Sequence, residues 1–239
     1  MIANPNFSTT NWSVVLAAAQ SDPVAAGHAL ERLCGRYWYP VYAFVRQRGY
    51  DVHESQDLAQ GFFHFLLERK GLQQVDRDRG RFRSFILTAM TNFLHNERDK
   101  RQTLKRGGRH LIVPLDGEFA ESVYALESRN GESPEALFER RWAATLVKRV
   151  LDELQKEFAE RGKSELFAGL QPFLTGEPAA ADYEELGRRL DMNSDAVKVA
   201  LHRARRRFGE LLRSEVAHTV SEPEEIEAEI RHLLAGIAE

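Results

Sequence analysis

The sequence predicts an all-α protein, two small helical domains joined by a flexible linker, the second a helix-turn-helix domain. Three observations carry that expectation. Apolar residues recur at three- and four-residue steps through most of the chain, and no strand-like alternation persists. Between Gln102 and Ser133 the periodicity gives way to turn signals: Gly107-Gly108, Pro114, Asp116-Gly117 and Asn130-Gly131. Beyond it, Tyr183 to Arg213 reads as two amphipathic segments joined at Leu190-Asp191-Met192-Asn193-Ser194, the pattern of a helix-turn-helix.

In chain order, a short helix is expected around Trp12 to Gln20, capped from Thr10 or Asn11. Leu30, Leu33, Tyr37, Val41 and Phe44 then mark a helix that Pro40 should kink or interrupt. Leu58, Phe62, Phe65 and Leu66 mark the next. Phe82, Phe85, Ile86, Met90, Phe93 and Leu94 mark a third, after a break at Gly71 and at Asp76 to Gly80. These elements make a first domain, residues 1–101. Residues 102–133 are the linker, with one short helix near Phe119 to Leu126. Ser133-Pro134-Glu135 is a strong helix start, and Leu137, Trp142, Leu146, Val150, Leu151 and Leu154 follow it at helical spacing. A further helix near Ser164 to Phe173 leads into the helix-turn-helix, completing a second domain at residues 134–216. Residues 217–239 form an acidic amphipathic extension.

The 239 residues carry a formal net charge of -3, which hides strong segregation. Arg98 to His110 holds six Lys/Arg against Asp99, and Lys198 to Arg213 holds six against Glu210. The tail from Glu215 to Glu239 holds seven Glu against Arg231. Two basic patches point to a polyanion partner more directly than the whole-chain sum does. With Cys34 the only cysteine, no internal disulfide framework is possible, which suits a reducing cytoplasm. No apolar run is long enough for a membrane span, and no secretory signal is evident. No HExxH, paired cysteines, phosphate loop or nucleophile elbow can be placed, so neither an enzyme nor a metal or other cofactor is expected. His64 and His95 lie on Phe-rich helices and read as packing residues.

In the second segment of the helix-turn-helix, Ala196, Val197, Ala200, Leu201, Ala204 and Phe208 form the apolar stripe. Ser194 is the expected N-cap, with Asn193 able to do the same. Lys198, His202 and Arg205 fall on the opposite face, flanked by Arg203 and Arg206. Arginine forks suit guanine and phosphate because they donate two parallel hydrogen bonds. The bland alternative is a charged solvent face on an ordinary surface helix.

Taken together these residues resemble bacterial RNA polymerase sigma factors of the extracytoplasmic-function type. Tyr183 through Gly187, Asp195 through Lys198 and His202 through Arg206 look like the family's region 4. Leu33 through Tyr42, Asp57 through Phe63 and Arg81 through Asn92 follow the order and spacing of its region 2. The resemblance implies a chain that binds core RNA polymerase and directs promoter-specific initiation by reading -10 and -35 elements. By position it implies that Ser194, Lys198, Val199, His202, Arg203, Arg205 and Arg206 meet the -35 element. It implies that Phe85, Asn92, Asn96, Arg98, Lys100 and Arg101 meet the -10 element, Asn92 capturing an unstacked base. Glu54, Asp57, Gln60 and Phe63 would dock on the polymerase clamp. Partners would be core polymerase, promoter DNA and, as regulator, an anti-sigma factor or a Ser/Thr kinase, with no membrane.

Departures from the family pattern bear on these roles. Phe85 stands where the family usually has tryptophan, and Asn96 where it usually has aspartate. Gln56 and Gly61 occupy positions that are often acidic, which weakens charge complementarity to a basic clamp. Phosphorylation at Ser55 or a nearby hydroxyl would restore negative charge; otherwise glutamine and phenylalanine contacts suffice. The extension is expected either to pack on the helix-turn-helix domain or to cover Arg205 to Arg213, or a groove, until polymerase displaces it. A repressor or activator acting without polymerase would account for the helix-turn-helix, but not for the aromatic and basic stretch from Arg81 to Arg101.

Overall fold

A computed structural model describes residues 23–67, 81–103, 117–127, 131–174 and 179–238. Among them every regular element is helical and no strand occurs. The helices are α1 (Pro23–Gln47), α2 (Val52–Leu67), α3 (Phe82–Thr103), α4 (Gly117–Glu127), α5 (Pro134–Glu160), α6 (Ser164–Leu170), α7 (Ala180–Leu190), α8 (Ser194–Ala217) and α9 (Ile226–Ala238). Short 3-10 turns sit at Gln171–Phe173 and Pro223–Glu225. The helix expected near Trp12 to Gln20 lies outside the described residues.

Two compact units emerge, and they do not follow the boundaries expected from sequence. Unit 1 takes residues 1–145 and 217–239; unit 2 takes residues 146–216. The start of α5 therefore belongs to unit 1, and the acidic extension does too. The reason lies in the core of unit 1. Trp142 of α5 stacks on Tyr37 of α1 at 4.1 Å and 5° between planes. Phe82 lies 5.6 Å from Tyr37 and 6.0 Å from Trp142, and Phe138 lies 5.6 Å from Trp142. These rings and that of Phe44 are buried. Such ring pairs add about 0.5–1.5 kcal/mol each beyond area burial, so the chain continues its aromatic core past residue 134 rather than starting a new one.

α1 runs unbroken through Pro40, which is buried, despite the helical hydrogen bond that a proline removes. α4 realises the short helix expected within residues 102–133, but it is docked on α1. Glu121 accepts from Arg46 at Nε (2.9 Å) and at the terminal nitrogen (2.8 Å), and from the Tyr42 hydroxyl (2.5 Å). Tyr124 donates to Gln47 at 2.7 Å, and the Arg46 guanidinium lies 5.0 Å from the Tyr124 ring centre. Hydrogen bonding from Arg46 holds the Glu121 carboxyl below its ordinary value. Burial, and then the bond to Glu121, raises the Tyr42 hydroxyl. The flexible-linker expectation is thus corrected for residues 117–127.

The extension expected beside the helix-turn-helix falls in unit 1. Glu229 of α9 is fully buried and binds Arg81 (2.8 Å) and Arg83 (2.7 Å) at the start of α3. Arg83 also pairs with Glu139 of α5, which meets His232 at 2.9 Å. Ile230 and Leu233 bury the apolar stripe beside this network.

Unit 2 holds the rest of α5 with α6, α7 and α8. Phe158 and Phe167 pack at 5.5 Å. A Cβ at Gly169 would stand 2.4 Å from a terminal methyl of Leu186, so a larger residue there would require that side chain to shift. Glu157 receives Arg207 at 2.6–3.1 Å in a bidentate pair, which keeps the carboxyl below its ordinary value.

Candidate nucleic-acid interface

α7 ends at Leu190 because Asp191 takes a left-handed backbone, φ +52°, and donates its N–H to the Gly187 carbonyl. Met192 donates to the same carbonyl at 2.9 Å. A Cβ on Gly187 would meet the Met192 oxygen at 2.6 Å, so this glycine is what lets the turn close. α8 then starts under a cap from Asn193, whose side-chain oxygen accepts from Ala196 N–H at 2.7 Å. Of the two residues that sequence left open for this role, Asn193 performs it. Ser194 is the first helical residue.

α8 buries Val197, Leu201, Ala204, Phe208, Leu212 and Val216. The opposite face is open. Lys198, Val199, His202, Arg203 and Arg206 are exposed, and Val199, at 50%, is the more exposed of two large apolar side chains so placed among the described residues. Lys198 is held loosely, 3.1 Å from Asp195 and 5.8 Å from the Tyr183 ring centre. Arg206 reaches Glu210 at 3.1 Å but remains largely in solvent.

Arg205 departs from its expected role. Its guanidinium donates twice to the Phe173 carbonyl, at 3.0 and 3.2 Å, tying α8 to the 3-10 turn after α6. It is a packing residue in this structure, not an open donor. Arg207 is likewise engaged with Glu157 and Glu210. Sequence reasoning passed over Arg188 and Arg189, exposed at the end of α7 beside the turn. Their place in the last turn of the leading helix was the available signal.

Unit 1 carries the second set. Phe85, Asn92 and Asn96 follow one another at seven- and four-residue steps, which puts them on one face of α3. Asn92 and Asn96 are exposed and Phe85 is half-buried, 6.1 Å from Phe82. Arg98 lies away from that face, in a cleft of about 410 Å³ with Arg48, Tyr50, Leu58, Leu94 and His95. Lys100 is exposed and pairs with Glu97 at 2.7 Å. The Arg101 side chain is outside the described residues.

On α2, Asp57 is exposed and Glu54 and Gln60 are half-buried. Phe63 is 1% exposed and packs 5.6 Å from Phe62, so it is core and cannot meet a partner. Ser55 is fully buried in the first turn of α2, which bars a kinase from its hydroxyl in this conformation. The exposed face carries His53, Asp57 and His64, a single carboxylate between two imidazoles.

No cluster of His, Cys, Asp or Glu suited to a metal occurs among the described residues. Burial pushes the Cys34 thiol up to about 12, which makes it inert. No described helix is long and apolar enough to cross a membrane. No protein-family model matches the chain, and neither a curated protein nor a solved structure shows significant similarity to it.

Proposed function

We propose that the chain is a promoter-reading subunit of the sigma type, recruiting core RNA polymerase and contacting DNA at two places. The observation that carries this reading is the open stripe of Lys198, Val199, His202 and Arg203 on the second helix of a turn closed by Gly187 and Asn193. A helix so mounted can enter a major groove, with cations for phosphate and guanine and an apolar group for a thymine methyl. Arg188 and Arg189 add phosphate contacts beside it. The face of Phe85, Asn92 and Asn96 supplies the second reader, an aromatic ring and two amides suited to unpaired bases. The sequence resemblance to extracytoplasmic-function sigma factors supplies the expectation that both act with polymerase in the cytoplasm. The chain has no catalytic role in this reading.

One observation favours a second reading, a helix-turn-helix regulator that is not a polymerase subunit. The exposed face of α2 offers one carboxylate, Asp57, to a basic clamp. Co-purification with core RNA polymerase and promoter-specific run-off transcription separate the two. The sigma reading requires both; specific duplex binding without either would establish the regulator instead.

A further inference from the structure

At its first residue α3 donates a hydrogen bond to a distant part of the chain. Asp78-Arg79-Gly80-Arg81 precedes Phe82, and Arg81, whose carbonyl accepts the first helical bond from Phe85 N–H at 3.2 Å, has a side chain that cannot accept one. The first N–H groups of a helix need partners from elsewhere. Here the partner comes from the far end of the chain: the Thr219 carbonyl accepts Phe82 N–H at 2.8 Å. Thr219 and Val220 are 1% exposed, so this bond is shielded from water.

Ten residues later the same segment delivers Glu229. Its carboxylate is fully buried between Arg81 and Arg83, at 2.8 and 2.7 Å, on either side of the capped Phe82. A carboxylate at this end of a helix also complements its dipole. The turn that carries it there is itself closed, since Glu225 accepts from the N–H groups of Ser221 (3.2 Å) and Glu222 (3.3 Å). The helix thus anchored is the one that presents Phe85, Asn92 and Asn96.

We infer that residues 219–229 are a remote cap for α3, and that Glu229 is a positioning residue for the nucleic-acid face of unit 1. The inference rests on the reading that this face meets unpaired DNA. It assigns the acidic extension a supporting role, because the extension holds the root of the reader and leaves Asn92 and Asn96 exposed. Loss of the Glu229 charge leaves Arg81 without this buried counter-charge and Arg83 with Glu139 alone, so the first turn of α3 frays and Phe85 loses its place.

The test uses the full chain bound to core RNA polymerase, as wild type and Glu229→Gln. Two probes come from the promoter selected by run-off transcription: the labelled non-template strand over the downstream element, and a duplex over the upstream element. Amide hydrogen exchange is read at residues 82–86 in parallel. Glu229→Gln should speed exchange there about tenfold, the scale of a removed cap. Single-strand affinity should fall by a similar factor and duplex affinity stay within about twofold. A chain truncated after Ala217, which also removes the Thr219 carbonyl, should move in the same direction and further. Unchanged exchange at 82–86 overturns the cap. Faster exchange with unchanged or tighter single-strand binding overturns the positioning role, and so does equal weakening on both probes, which would mark general unfolding. If wild type binds neither probe, the promoter reading fails, while the exchange result still decides the cap.

Discussion

Arg81 and Arg83, at the head of α3, are drawn inward by a buried carboxylate. Lys198, His202 and Arg203, on α8, stay in solvent. In sequence both groups are basic side chains interleaved with apolar ones. The difference lies in what the fold places opposite them. Glu229 is buried against the arginines of α3, whereas on α8 Lys198 reaches the exposed Asp195, and Glu157 and Glu210 engage Arg207 instead. A basic cluster is therefore evidence for a nucleic-acid partner only after its internal partners have been subtracted.

The contrast can be broken most severely at the buried end. Arg83→Ala leaves Glu229 and Glu139 short of a counter-charge inside unit 1, and should destabilise the chain by about 3–5 kcal/mol, read by denaturant unfolding. Removal of an open cation should cost little stability: His202→Ala and Arg203→Ala should each stay within about 0.5 kcal/mol of wild type. Their effect belongs to binding, where deleting a base-reading side chain weakens duplex affinity by about 1–3 kcal/mol in a gel-shift or anisotropy titration. Arg205→Ala should do the reverse, lowering stability more than affinity, because its guanidinium holds the Phe173 carbonyl.

Gly187→Ala tests the turn between those extremes. Its Cβ would sit 2.6 Å from the Met192 oxygen, so the turn must open, at a cost of about 1–3 kcal/mol. Duplex binding should fall with the Lys198 to Arg203 stripe intact.

The smallest effect is one of pH. Arg46 and Arg207 hold the Glu121 and Glu157 carboxyls below the ordinary value of 4.5. Each pair stabilises fully above that value, and the contribution is lost as pH falls through the depressed folded value. Glu121→Gln and Glu157→Gln should each be less stable than wild type at neutral pH, and the gap should close on acidification below about pH 4.5. A gap that persists or widens in acid would show that these pairs are not the source.

The all-helical class was legible because apolar spacing follows backbone period, and the turn at Leu190 to Ser194 was legible because its residue types have local backbone reasons. Exposure of Lys198, His202 and Arg203 followed from the same periodicity. What could not be read locally was anything closed by distant segments. The bond from Arg205 to Phe173, the dock of Glu121 on Arg46 and the arrival of Glu229 at Arg81 and Arg83 join residues 32, 75 and up to 148 positions apart. The domain boundary expected at Ser133-Pro134 shows the same limit. Those residues do start a helix, with Ser133 accepting from Ala136 N–H at 3.1 Å, yet that helix first serves the preceding aromatic core. One local clue was present and unused: Arg81, directly before Phe82, is not a residue type that caps a helix.

The most direct test of the central claim is to sequence promoters enriched by the full chain with core RNA polymerase, as wild type and as the His202→Ala/Arg203→Ala double variant. The account predicts two sequence blocks at fixed separation for wild type, with the upstream block weakened or altered in the variant and the downstream block retained. A single palindromic site, enrichment that does not depend on polymerase, or an upstream block indifferent to His202 and Arg203 would contradict it.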